Sequence, residues 1–116
     1  MTISASLIYA WCSLHGYRLP QCAALVDLAI EESGLRPGII SRHGDVGLFQ
    51  WRDTRRQALT RYAIYRKLPW TDAHLQLDFA DIEWRAMPGS NAFFAARTKA
   101  AAYYGFCRDF LRRACR

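Results

Sequence analysis

No run of Val, Ile and Thr in strict alternation occurs in the 116 residues, which argues against a half-buried β-sheet. No Cys-x-x-Cys and no His-x-x-x-His pair is present, so neither a zinc site nor any other metal or cofactor is expected. No stretch reaches the ~20 apolar residues needed to span a bilayer. The apolar opening MTISASLIYAWCSLHGYRLP lacks the basic leader and small-residue cleavage site of a signal peptide, so synthesis in the cytoplasm without a recognisable export signal is expected. Nothing repeats, and no segment is dominated by Gly, Ser, Gln or Pro, which excludes solenoids and disordered tracts. Without an export signal thiols are normally held reduced, so Cys12, Cys22, Cys107 and Cys115 read first as small buried hydrophobes. The alternative is an oxidised form in which two pairs tie the N-terminal helices to the last one.

What is present is core and charge. A 52% hydrophobic chain of this length supports one domain over residues 1–116 and not two. Sixteen basic against ten acidic residues give a formal charge of +6, enough to attract phosphate, anionic lipid or an anionic wall polymer. Arg108, Arg112 and Arg116, spaced by four, would line one helical stripe, a solvated face or a contact with an anionic envelope.

Apolar spacing is helical almost everywhere, so the fold class is mostly α. A first helix is expected over 3–15, and a second from Pro20 to Gly34. Residues 35–52 hold Gly38, Gly44 and Gly47 with Pro37, Ser41 and Asp45, the composition of a structured loop or short hairpin. Asp53 or Thr54 would cap a third helix reaching Leu68, and Thr71 a fourth running to Met87. Ser90 would cap a short fifth turn and Thr98 a last helix ending near Ala114.

On the second helix, at ~100° per residue, Cys22, Leu25, Val26, Ala29 and Ile30 share one face. Glu31 points away near Asp27, whereas Glu32 falls on the flank of the apolar face against the following loop. Desolvation at such a place raises a carboxyl pKa, as a general acid near neutral pH requires. The stretch that follows, ESGLRPGIISRHGDVGLFQW, resembles lysozyme-like muramidases such as goose-type lysozymes and soluble lytic transglycosylases. The likeness is closest to the phage tail lysozyme family: GLFQWRDTRRQAL and WTDAHLQLDFADIEW are similar to that family's segments, and residues 20–86 carry the match. The final helix fits loosely and lacks the family's frequent Glu-Arg-Pro ending.

The resemblance implies a small lysozyme-like fold in which Glu32 protonates the β-1,4 glycosidic oxygen between N-acetylmuramic acid and N-acetylglucosamine. It implies peptidoglycan as the partner, and action in the periplasm or at the wall; a monomer is expected. Ser33 would hold the helix end, and Gly47 would permit a turn that sends Leu48 and Phe49 inward and Gln50 to the cleft. Gln50 donates and accepts together, which suits acetamido and hydroxyl groups; Trp51 can stack on a pyranose or belong to the core. Ser41 and His43 are placed with the substrate at the mouth. Asp45 is the candidate second carboxylate, which positions or activates water; without a second carboxylate the muramic acid hydroxyl attacks and an anhydro sugar results. Two other readings are a non-catalytic wall-binding or structural module of the same fold, and a basic helical nucleic-acid binder using DTRRQALTRYAIYRK. The last leaves the spacing between Glu-Ser-Gly and Gly-Leu-Phe-Gln unexplained, so nucleic acid is not expected as a partner.

Overall fold

The computed structural model describes residues 1–112. Ser4 accepts the Leu7 N–H and opens α1 (Ala5–Leu14). Pro20 sits in the first turn of α2 (Leu19–Ser33), where its missing N–H costs nothing. Gly34 ends α2 in the left-handed conformation, giving its N–H to the Ala29 and Ile30 carbonyls. The other helices are α3 (Asp53–Arg66), α4 (Ala73–Arg85), α5 (Ser90–Ala95) and α6 (Lys99–Gly105), which runs on into a π-helical segment, Phe106–Leu111. Among the described residues no strand forms, and none of the helices is long and apolar enough to cross a membrane.

Several local expectations shift. Neither Asp53 nor Thr54 caps α3; Arg52 holds the cap position without a side-chain bond, and Asp53 itself adopts φ 53°. Asp72, one residue beyond Thr71, caps α4 by accepting the Leu75 N–H at 2.9 Å. Ser90 donates to the Met87 carbonyl and caps nothing, whereas Thr98 caps α6 as expected. The expected helix end near Ala114, with Cys115 and Arg116, lies outside the described residues.

Helix α2 packs against α1 and α6, and α3 packs against α4. The buried line along α2 runs through Cys22, Leu25, Val26, Ala29 and Ser33, which leaves Ile30 at its edge and 49% exposed, not in the core. Under α4 and the π segment the core is aromatic: Trp84, Phe93, Phe106 and Phe110 touch edge to face or stacked, with Phe106 and Phe110 stacked at 4.3 Å.

Residues 35–52 form a loop braced by two isolated antiparallel bridges, Ile40 with Val46 and Val46 with Trp51, too few for hairpin strands. Its clamp is Gln76 of α4, fully buried, which accepts the Leu48 N–H at 2.9 Å and donates to the Pro37 and Trp70 carbonyls at 2.8 Å each. Gly47, at φ 81°, lies directly on that amide, and a Cβ there would come within 2.8–3.1 Å of it. Closeness and left-handed backbone together require glycine.

The cysteines divide. Cys12 and Cys22 are free and buried, with the Cys22 thiol donating to the Tyr17 carbonyl at 3.8 Å, while Cys107 is disulfide-bonded. This corrects both starting pictures, since the chain is neither wholly reduced nor joined from its N-terminal helices to its last one. Burial pushes the Cys12 and Cys22 thiols upward, and burial together with a 2.6 Å bond to Asp81 does the same for the Tyr17 phenol. The folded chain therefore keeps protons that the unfolded chain releases above ordinary values of 9.0 and 10.0. Stability from these groups is complete below pH 9.0 and falls as pH rises further. Urea titrations at neutral pH and at about pH 10 should show a lower midpoint at the alkaline value.

Candidate active site

Glu32 occupies the penultimate position of α2, half-buried, where Gly34 ends the helix and the chain turns away. Opposite it the 45–55 segment rises into the first turn of α3, and the two sides enclose a cleft of about 410 Å³. Glu32, Asp45, Gln50, Asp53 and Arg55 line it, and Phe49 and Leu111 supply apolar wall. Gln50 and Asp53 hold left-handed backbone at φ 54° and 53°. Such conformations cost an L residue of order 1–2 kcal/mol and persist where surrounding bonds impose them.

The carboxylates near the cleft have distinct fates. Asp45 accepts two bonds from Arg52, at 3.0 Å from Nε and 2.9 Å from Nη2, and that pairing pushes the Arg52 guanidinium up from its ordinary value. Glu83 lies beneath the floor, where it accepts the Trp51 indole N–H at 2.8 Å and two bonds from Arg55 at 2.9 and 3.0 Å. Arg55 also covers the Phe110 ring at 4.4 Å and donates to the Phe110 carbonyl. Glu83 is thus committed to fixing Arg55 and the indole. Asp78 and Asp81 belong to the α1 side of α4: Asp78 takes bonds from Trp11 and Arg66, Asp81 from Tyr17 and Arg85. The carboxylates lining the cleft are Glu32, Asp45 and Asp53.

The expected substrate residues divide between the cleft and what lies beneath it. Gln50 lines the cleft; its Nε2 donates to the Gly47 carbonyl at 3.0 Å, a bond in which its own carbonyl oxygen takes no part. Ser33, Gly47 and Trp51 are buried and do not line the cleft: Ser33 and Gly47 play the supporting parts expected of them, and Trp51 belongs to the core. Ser33 is 2% exposed and donates to the Ala29 carbonyl at 2.8 Å, so it fixes the helix end. Gly47 is buried against Gln76, and Trp51 is 1% exposed with its ring against Phe49 and Phe79, so it offers no stacking platform. Ser41 braces the loop by accepting the His43 and Asp45 N–H groups, and His43 opens onto the neighbouring groove. His15 stacks on Trp11, away from the cleft.

Among the cleft residues that sequence reasoning passed over are Arg52, Arg55, Leu111 and Arg112. The run RDTRR offered a signal, but it read as a helix charge and not as anchors for Asp45 and Glu83. Of the C-terminal arginines, Arg108 pairs with its neighbour Asp109 at 3.1 Å, Arg112 ends the π segment in left-handed backbone and lines the cleft, and Arg116 lies outside the described residues. Among the described residues no group of three or more His, Cys, Asp or Glu could hold a metal ion.

A family model described as phage tail lysozyme matches residues 4–115. No curated protein and no solved structure matches the chain.

Proposed function

The chain belongs to the phage tail lysozyme family, lytic enzymes of the glycoside hydrolase kind that act on peptidoglycan of the cell wall, and from that premise we propose that it is a muramidase with Glu32 as its general acid. The bond cut is the β-1,4 linkage from N-acetylmuramic acid to N-acetylglucosamine. The observation that carries this reading is the placing of Glu32, half-buried at a helix end, in one cleft with Asp45 and Gln50.

Glu32 delivers its proton to the leaving glycosidic oxygen as the bond to the muramic C1 breaks. Asp45, oriented by the two Arg52 bonds, positions a water for attack at that carbon. Gln50 supplies donor and acceptor to an acetamido group, and Leu111 meets the apolar face of a sugar ring. Ser33, Gly47 and Gln76 act through the elements they fix. End-group analysis of fragments tests the water step: a free reducing muramic end is expected, and a 1,6-anhydro end would transfer the attack to the substrate's own hydroxyl and remove Asp45 from it.

A further inference from the structure

Beside the Glu32 cleft, and sharing its Asp45 and Asp53 walls, lies a second open groove of about 610 Å³. One face of α3 builds it, because Asp53, Arg56, Gln57, Thr60 and Arg61 recur at i, i+3, i+4, i+7 and i+8; His43 and Gly44 close the other side. Arg56 is pinned by donating from Nη1 to the Gly44 carbonyl at 2.8 Å, which holds its guanidinium on the groove. Arg61 stands exposed further along the helix and takes part in no ion pair among the described residues. Asp45 is occupied by Arg52, so past Asp53 at the junction the wall carries two guanidinium groups with the neutral Gln57 and Thr60 between them.

That wall suits carboxylates, which guanidinium groups bind with paired, charge-assisted bonds. The sugar backbone of peptidoglycan is built of neutral units; its negative charges sit on the short peptide that leaves each muramic acid through the lactyl group. A strand lying in the Glu32 cleft must send this peptide outward beside the bond to be cut. We propose that the α3 groove is a subsite for the stem peptide, holding one of its carboxylates on Arg56 and Arg61. The proposal rests on the reading that the glycan occupies the Glu32 cleft, and it makes substrate recognition depend on the peptide as well as the sugar.

Titration calorimetry of the full chain with the N-acetylglucosaminyl-N-acetylmuramic acid disaccharide, either bare with its lactyl carboxyl blocked as the simple amide or carrying its tetrapeptide, tests it; neither ligand contains the bond to be cut. The peptide-bearing ligand should bind about tenfold more tightly, the size of one charge-assisted bond gained. Arg61→Gln should erase most of that preference and leave the bare disaccharide unchanged, as should Arg56→Gln. Added salt should weaken only the peptide-bearing ligand. Equal affinities, no binding of either ligand, or a preference that survives both substitutions would overturn the proposal. Equal weakening of both ligands by Arg61→Gln would overturn it too and make the groove a site for further sugars. Lysis of whole peptidoglycan, assayed alongside, reports separately on the muramidase reading: an intact preference in a chain that cuts nothing removes the catalysis and keeps the subsite.

Discussion

Glu32→Gln should lower the rate of peptidoglycan lysis by about a hundredfold to ten-thousandfold, the range that a positioned general acid contributes. Glutamine preserves size and hydrogen bonding at the end of α2 but has no proton to deliver to a leaving oxygen. The loss should therefore fall on turnover, with binding to the wall and the thermal midpoint nearly unchanged. Glu31→Gln is the matched control. Glu31 is exposed and accepts the Tyr103 hydroxyl at 2.8 Å, outside the cleft, so its substitution should leave lysis within about twofold, in line with the small effects of exposed changes. Turbidity loss of purified peptidoglycan measures both. The reverse ranking of the two glutamates would remove Glu32 from the chemistry.

Gln76→Ala should be the most destabilising single change in the loop region, by about 3–5 kcal/mol. The side chain is wholly buried and satisfies three backbone groups, two at opposite ends of the 35–52 loop and one just before α4: the Leu48 N–H and the Pro37 and Trp70 carbonyls. Each group left unpaired costs about 1–3 kcal/mol, and partial relaxation keeps the total below the simple sum. Against a typical stability of about 5–15 kcal/mol that is a large fraction, and the thermal midpoint should fall by about 10–20 °C. Lysis should fall as well, because Gln76 fixes the loop that carries Asp45 and Gln50. A midpoint within a few degrees of wild type would show that the clamp is dispensable and that the bridges at Val46 hold the loop.

The helices were legible because their signals are local. Apolar spacing marked each one, Pro20 and Gly34 bounded α2, and Thr98 announced α6. The half-burial of Glu32 followed from its angle to Leu25 and Ala29 on the same helix. What depended on distant partners stayed hidden. Trp51 is core and not platform because Glu83, on another helix, waits for its indole N–H. Asp72 displaced Thr71 as a cap in a contest between neighbours that composition does not decide. The π-helical segment after Gly105, which ends with Leu111 and Arg112 in the wall of the cleft, left no mark in the apolar spacing. Of Ser33, Ser41, His43, Gly47, Gln50 and Trp51, Gln50 alone lines the Glu32 cleft: helix ends and turns reveal where a loop bends, but not which of its side chains the rest of the chain will cover.

The most direct test is mass spectrometry of the fragments that the wild-type chain releases from purified peptidoglycan. Cleavage by the proposed route predicts soluble muropeptides whose new ends are N-acetylmuramic acid, released by wild type and absent with Glu32→Gln. New ends at N-acetylglucosamine, cuts confined to the peptides, or a wall that sediments with the protein bound and nothing released would contradict it.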